Sequence, residues 1–373
     1  VSRRVDVPKI RQRAPCAPVP ACAAGPPART TARRRPGSLL QGRRGKLLSR
    51  GSAGRLSRGC EFMALREDIS LRPTKRFATL AVGDLEVPKC DLDVPECALA
   101  DRSLRWCALS VLSTSDPSIK AVLTRDYATW WQSTTAQITG AADASIQAPD
   151  SPARLCKEGR RGTTRQRGAK CFLNSVTHAE GCAIDCFWDL IARFGPEFDR
   201  RFGASARPFC GDVVRIACEE ATHFERLRDR LSAQHGVNYG DLDCNDTLAT
   251  SMTDTRDSLD ARMAIVHLVH EARGLDVFEA GQAKLRRSGD SVTADTMRRN
   301  FEDEIGHVRV MRGWFEKLHA DQPAALQAFH GFVRDKKRWS AMSLKGPFND
   351  DARTAAGLDE AWYGPVAESV PSI

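Results

Sequence analysis

The sequence predicts an all-α fold: a four-helix bundle with a long crossover between helices two and three, plus extra N-terminal helices. Three observations carry it. Four long segments between residues 168 and 319 repeat their apolar residues at helical spacing. Glycine and proline punctuate those segments where helices stop. Each segment also carries one glutamate inside its apolar seam.

The first segment runs from about Gly168 to Phe194 and is predicted to stop at Gly195-Pro196; the second runs from about Pro208 to Gln234 and stops at Gly236. The third lies within 247 to 288 and ends at Gly289, and the fourth runs from about Ser291 to His319. Short joins make segments one and two, and three and four, antiparallel hairpins. The longer stretch HGVNYGDLDCNDT between two and three supplies the crossover.

Upstream, Leu104, Cys107, Val111, Val122, Leu123, Tyr127 and Trp130 recur at spacings near three and four around Asp116-Pro117, giving two short helices or one kinked one. The domain reading is therefore a basic leader (1–62), an extended lead-in with short helices (63–167, looped over 132–167), the bundle (168–320) and a helical or extended C-terminal tail packed on it (321–373).

Charge locates the function classes to exclude. The formal net charge is +9, but residues 1–62 hold 15 Lys and Arg against Asp6 and Glu61, so the remaining 311 residues carry −4. A mildly acidic body argues against nucleic acid as a partner of the folded part. The leader is rich in Arg, Ala, Pro, Gly and Ser and lacks the apolar core of a secretory signal. It reads either as an organelle transit peptide or as upstream sequence included ahead of Met63, the first methionine. The expected location is cytoplasmic, or a mitochondrion or plastid if the leader is a transit peptide. No run approaches the roughly 18 apolar residues of a membrane span. Thirteen cysteines are scattered without a C-x-x-C pair, which argues against a zinc ribbon, a rubredoxin-type iron site or a thioredoxin motif. Most are expected to be reduced and buried.

The chemistry sits in the seam. Segment two contains Glu220-Ala-Thr-His223 and segment four Glu304-Ile-Gly-His307. Positions i and i+3 share a helix face, so each pair can aim a carboxylate and an imidazole at one ion. Segments one and three supply Glu180 and Glu271, and successive glutamates lie 40, 51 and 33 residues apart. This is the ligand order of ferritin-like di-iron and di-manganese carboxylate bundles. Phase strengthens it: on segment four Met297, Phe301, Val308, Met311 and Phe315 leave a seven-residue gap that Glu304 fills. Glu220 fills the same gap among Val213, Ala217, Phe224, Leu227 and Leu231, as Glu180 does among Leu173, Val176, Ala183, Phe187 and Ile191. Segment three repeats the pattern less cleanly around Glu271. Four ionised carboxylates in a core would each cost several kcal/mol without cations, and two divalent ions balance their charge.

A third copy, Glu316-Lys-Leu-His319, shows that Glu-x-x-His alone proves little; next to the seam residue Phe315, it reads as a solvated face. Supporting roles around the ligands fall to His178, Glu219 and Asp303, with Glu219 and Asp303 orienting histidines across the bundle. His267 and His270 near Glu271 are further candidates, and Asp185, Arg273 and Asp276 read as an ion network beside the metals. For each of these the ordinary alternative, a core or surface polar residue, stands beside the functional one.

Residues from about Ser103 to Val366 resemble the ferritin-like family known as domain of unknown function 455. The resemblance rests on HAEGCAIDCFWDL, EEATHFERLRDRL, YGDLDCNDTL, LVHEARGLDV, DEIGHV and GPFNDDARTAAG. It implies metal ligands at Glu180, Glu220, His223, Glu271, Glu304 and His307, the six that spacing selects. The chain departs from the family at Cys244-Asn245-Asp246, where a His usually precedes the Asp, and in a shortened loop around Lys157 to Gly168. The expected function is a di-metal carboxylate protein holding two Fe ions (Mn also suits the ligands). It would be an O2- or peroxide-activating oxidoreductase of unknown substrate, served by a separate electron donor. The alternative is a non-catalytic metal-binding or iron-handling protein.

Overall fold

The computed structural model describes residues 102–141, 143–154, 168–335, 338–339 and 344–368. The leader and most of the lead-in lie outside the described residues. Among those described, every regular element is helical, and Lys345 and Glu368 form an isolated bridge. No described helix is long and apolar enough to cross a membrane.

The Asp116-Pro117 break produces two helices, α1 (Leu104–Ser113) and α2 (Pro117–Ser133). Asp116 caps the second by accepting from Ser118 N, and Pro117 enters at the first turn, where a missing N–H costs nothing. α1 packs on the next helix, α3 (Ala169–Phe202), and α2 on α4 (Ala206–His235).

α3 corrects one expectation. It passes straight through Gly195-Pro196 and ends seven residues later at Gly203, whose φ is +54°. Pro196 leaves the carbonyl of Ala192 without its helical donor. The Nε of buried Arg105 on α1 donates to that oxygen at 2.7 Å, while its other nitrogens bond the carbonyls of Asp143 and Ile146. A partner about 90 residues away thus repairs the proline defect. Arg105→Met is expected to lower unfolding free energy by about 3 kcal/mol in urea titration, because buried acceptors lose a charged donor.

α4 stops at Gly236 in the left-handed region, as its glycine predicts, with Gly236 N donating to Ser232 O. The third segment is broken where the sequence shows one run. It forms α5 (Thr247–Asp254), α6 (Leu259–Ala264), a π-helical turn Ile265–His270, and α7 (Glu271–Arg287). Ser258 caps α6, and fully buried Arg262 ties back to Thr255 Oγ1, Met252 O and Asp189 across the break. The π turn inserts extra residue length immediately before Glu271, which accounts for the untidy seam there. α8 (Ser291–Lys317) follows, capped by Asp290 accepting from Thr293 N at 3.0 Å.

α3 packs along α4, α7 along α8, and α4 against α8, whereas α3 and α7 meet over a shorter stretch. The tail forms α9 (Gln322–Arg334), α10 (Asp350–Ala355) and α11 (Glu360–Tyr363), lying against α8, α7 and one another. Phe315, Phe329 and Trp362 interlock there edge to face. Among the described residues Cys107, Cys171, Cys182, Cys186, Cys210 and Cys218 are free thiols, four of them buried, in line with the expectation that most are reduced and buried, while Cys244 is disulfide-bonded.

Candidate metal centre

Four helices deliver six side chains to one place. Glu180 comes from α3, Glu220 and His223 from α4, Glu271 from the first position of α7, and Glu304 and His307 from α8. Their donor atoms form two overlapping groups, Glu180, Glu220, His223 and Glu304, and Glu220, Glu271, Glu304 and His307, with the atoms in each group within 4.8 Å of one another. Glu220 and Glu304 belong to both groups, so they lie between two subsites. Glu180 and His223 complete one subsite, Glu271 and His307 the other.

The imidazoles are aimed by partners on the opposite helix. His223 Nε2 lies 3.1 Å from Asp303 Oδ2, and His307 Nε2 lies 2.8 Å from Glu219 Oε2. An ionised carboxylate only accepts, so each Nε2 carries the proton and each Nδ1 turns toward the cluster. His223 Nδ1 is 3.2 Å from Glu304 and 3.5 Å from Glu220; His307 Nδ1 is 2.8 Å from Glu220 and 3.3 Å from Glu304. Glu219 and Asp303 thus each reach a histidine on the facing helix.

The inner atoms are unsatisfied by protein alone. Both carboxylate oxygens of Glu220 and the Nδ1 atoms of both histidines are buried without a hydrogen bond. Burial pushes Glu180 up to about 8 and Glu271 well above the carboxylate range, reinforced at Glu271 by neighbouring carboxylates. Burial also opposes ionisation of Glu304, but the two histidines beside it win and hold it low. Both histidines are raised well above their ordinary value, since surrounding carboxylates outweigh the desolvation that lowers them. A core with this many competing charges and orphaned acceptors suits divalent cations. Carboxylate and imidazole donors are the types that hold hard or borderline metal ions.

Other expectations meet a different outcome. His178, two residues before Glu180, turns about 200° around α3 and bonds Tyr239 Oη at 2.8 Å and Asn245 O at 2.9 Å, tying the crossover down. Of the expected network of Asp185, Arg273 and Asp276, Arg273 and Asp276 pair at 3.5 Å, but Asp185 stands apart from them. Asp185 pairs with buried Lys120 and with Arg154 at 3.6 Å, whereas Asp276 clamps Arg353 of α10 at 2.7 Å. Arg273 Nη1 donates to Lys345 O, so this pair fastens the tail to α7. His267 is fully buried against Phe187, and His270 Nε2 meets Ser251 Oγ at 2.7 Å. Glu316 and His319 are not a solvated face: Glu316 pairs with Arg312 at 2.5 Å, and His319 lies 3.7 Å from Asp260, under the tail.

Sequence patterns gave no hint of a cavity, which the splay between α3 and α7 opens. It measures about 340 Å³, within the range of small-molecule sites. All four cluster glutamates line it, and neither His223 nor His307 does. The carboxylate side of the cluster thus faces the cavity, and the histidines close its far side. Phe172, Val176, Leu248, Phe278, Met297 and Phe301 supply its large apolar side chains, beside polar Ser175, His270, Arg273 and Asn300. At the rim Gly274 sits mid-helix with open space where a Cβ would be. Gly274→Ala is expected to raise unfolding free energy by about 0.5–1 kcal/mol in chemical denaturation.

Comparison with known proteins adds a family but no activity. A 30% identical relative over 216 residues, an uncharacterized protein of Haemophilus influenzae, covers 57% of this chain and 74% of its own length. No solved structure matches the chain. The family model described as "Protein of unknown function (DUF455)" matches residues 113–364, well over half of the sequence. The chain belongs to that family.

Proposed function

We propose that residues 168–320 are a ferritin-like four-helix bundle with a di-iron carboxylate centre, and that the protein is an oxidoreductase that activates O2 or peroxide against an organic substrate. The observation that carries this is the paired ligand cluster opening, through its carboxylate side alone, into an apolar cavity. Glu180 and His223 would hold one ion, Glu271 and His307 the other, and Glu220 and Glu304 both. Iron held this way supplies redox chemistry with oxygen at positions the protein leaves open. Asp303 and Glu219 fix the histidine tautomers that present Nδ1 to the ions. The apolar walls exclude water from the space in which substrate would lie. Manganese fits the same donors, so the metal is settled by analysis.

The cavity also separates this reading from iron handling. A protein that only moves iron is served by a polar route to its site, and the route here is mainly apolar, lined by phenylalanine, valine, leucine and methionine with Ser175, His270, Arg273 and Asn300 among them. With no C-x-x-C pair in the sequence, the electron donor would be a separate protein. Stopped-flow absorbance after mixing the ferrous protein with O2 tests the assignment. An oxidoreductase returns to the ferrous state with added reductant and consumes O2 repeatedly, whereas a single oxidation with no further turnover would favour the storage reading.

A further inference from the structure

The cavity has unlike ends. Four carboxylates line its inner end, whereas its mouth carries Arg273 of α7, the one permanent cation among the described lining residues. Ser175 and Ala179 of α3 and Gly274 and Val277 of α7 are all exposed and frame that mouth. Between the ends the large side chains are apolar, and the lining follows α3 from Phe172 to Ala183, about 16 Å of helix at 1.5 Å per residue.

Arg273 is held in place without being neutralised. Its Nη1 donates to Lys345 O at 3.0 Å, which fixes the guanidinium against the tail, while Nε and Nη2 donate to none of the described residues. Asp276 lies 3.5 Å away, but both its oxygens are engaged by Arg353, at 2.8 and 2.7 Å, and Oδ1 also accepts from Asn349 N. One carboxylate between two guanidiniums leaves a positive charge over. The Arg353 side chain is 2% exposed and that of Arg273 37%, so the spare charge is met from solvent at the mouth. The other polar lining groups have local uses: Ser175 Oγ donates to Cys171 O, and His270 Nε2 meets Ser251 Oγ. A guanidinium edge with two parallel N–H groups matches the two oxygens of a carboxylate.

We propose that the cavity between α3 and α7 binds an ionised carboxylic acid with an apolar chain, its carboxylate on the Nε–Nη2 edge of Arg273 and its chain running inward past Val176, Phe278 and Phe301. The inference rests on the di-metal reading for the chemistry at the inner end, and goes beyond it by naming the substrate class and its orientation. Charge sets that orientation. Reversed, the carboxylate would face four glutamates and the chain end would lie in water at the mouth.

The test measures octanoate, 1-octanol and octylammonium, three heads on one chain length, by equilibrium dialysis against the full chain at neutral pH, with metal per chain determined on the same samples. Wild type is expected to hold octanoate about fivefold or more tighter than octanol, and octylammonium most weakly. The octanoate preference should shrink as salt screens a pair at the surface. Shortening the chain to hexanoate should weaken binding about three- to fourfold per methylene. Arg273→Gln keeps a donor for Lys345 O and should bring octanoate down to the affinity of octanol, with octanol unchanged. Gly274→Phe, placed at the open mouth, should block both. A wild-type chain that does not prefer octanoate, a preference that salt does not touch, or one that survives Arg273→Gln overturns the proposal, and the first two readouts need no variant to fold. Metal without octanoate preference sinks this inference and spares the di-metal reading; octanoate preference in a chain that takes no metal does the reverse.

Discussion

Stripping metal from the loaded protein is expected to cost about 5 kcal/mol of stability. Each of two ions held at a hundredfold excess over its dissociation constant contributes about 2.7 kcal/mol by mass action, because the unfolded chain does not assemble the six ligands. The metal-free fold is further weakened by what remains in the seam: Glu220 oxygens and histidine Nδ1 atoms without partners, and carboxylates pressed together by burial. Guanidine titration before and after chelation, with metal added back, measures the difference. A loss below about 1 kcal/mol would mean that the cluster holds its charges without cations, with protons or internal pairs.

Removing one shared charge should weaken both forms, the metal-loaded one more. In the metal-free protein, Glu220→Gln takes a carboxylate from the raised imidazoles of His307, at 2.8 Å, and His223, at 3.5 Å, and is expected to destabilise the fold by about 1–3 kcal/mol. In metal the loss should be larger, because Glu220 belongs to both ligand groups. The pH dependence follows from the same groups. Glu180 is raised to about 8 and Glu271 well above its usual range, so each carboxyl keeps its proton in the fold after losing it in the unfolded chain. Raised acids therefore destabilise increasingly as pH climbs from the unfolded carboxylate value toward 8. His223 and His307 are raised as well, and their contribution, full below the unfolded imidazole value, is lost as pH rises through the folded one. Those four push the same way, but buried His178, His267 and His270 are lowered by desolvation and add stability as pH rises to the unfolded imidazole value, so metal-free stability should fall between about pH 6.5 and 8, by up to about 1.4 kcal/mol per pH unit for each proton. Metal-loaded protein should not show that fall, since metal binding releases those protons and strengthens as pH rises. Thermal melts of both forms across this range, with Glu220→Gln alongside, check it; a metal-free form more stable at about pH 8 than at about pH 6.5 would contradict it.

Glu180, Glu220, Glu271 and Glu304 were legible as a group because a carboxylate in an apolar seam breaks a pattern that burial otherwise enforces. Glu219 and Asp303 were legible for a related reason, since each precedes a seam glutamate and so faces the adjoining helix. Arg273 and Asp276 misled: closeness in sequence to Glu271 suggested a shared network, but two and five residues turn a helix to other faces, and their partners Lys345 and Arg353 come from the tail. Continuation of α3 through Pro196 depends on Arg105, and no local pattern announces a donor so remote. The π turn before Glu271 and the splay of α3 from α7 are likewise tertiary outcomes. The cavity arises from that splay, so no local periodicity marked it.

Metal per chain is the most direct measure of the central claim. After anaerobic reconstitution with Fe(II), and separately with Mn(II), followed by desalting and elemental analysis, the full chain should retain about two ions. Glu220→Ala and Glu304→Ala should each retain few or none, because each removes a ligand from both subsites. Retention near zero by the wild-type chain with both metals would contradict the account.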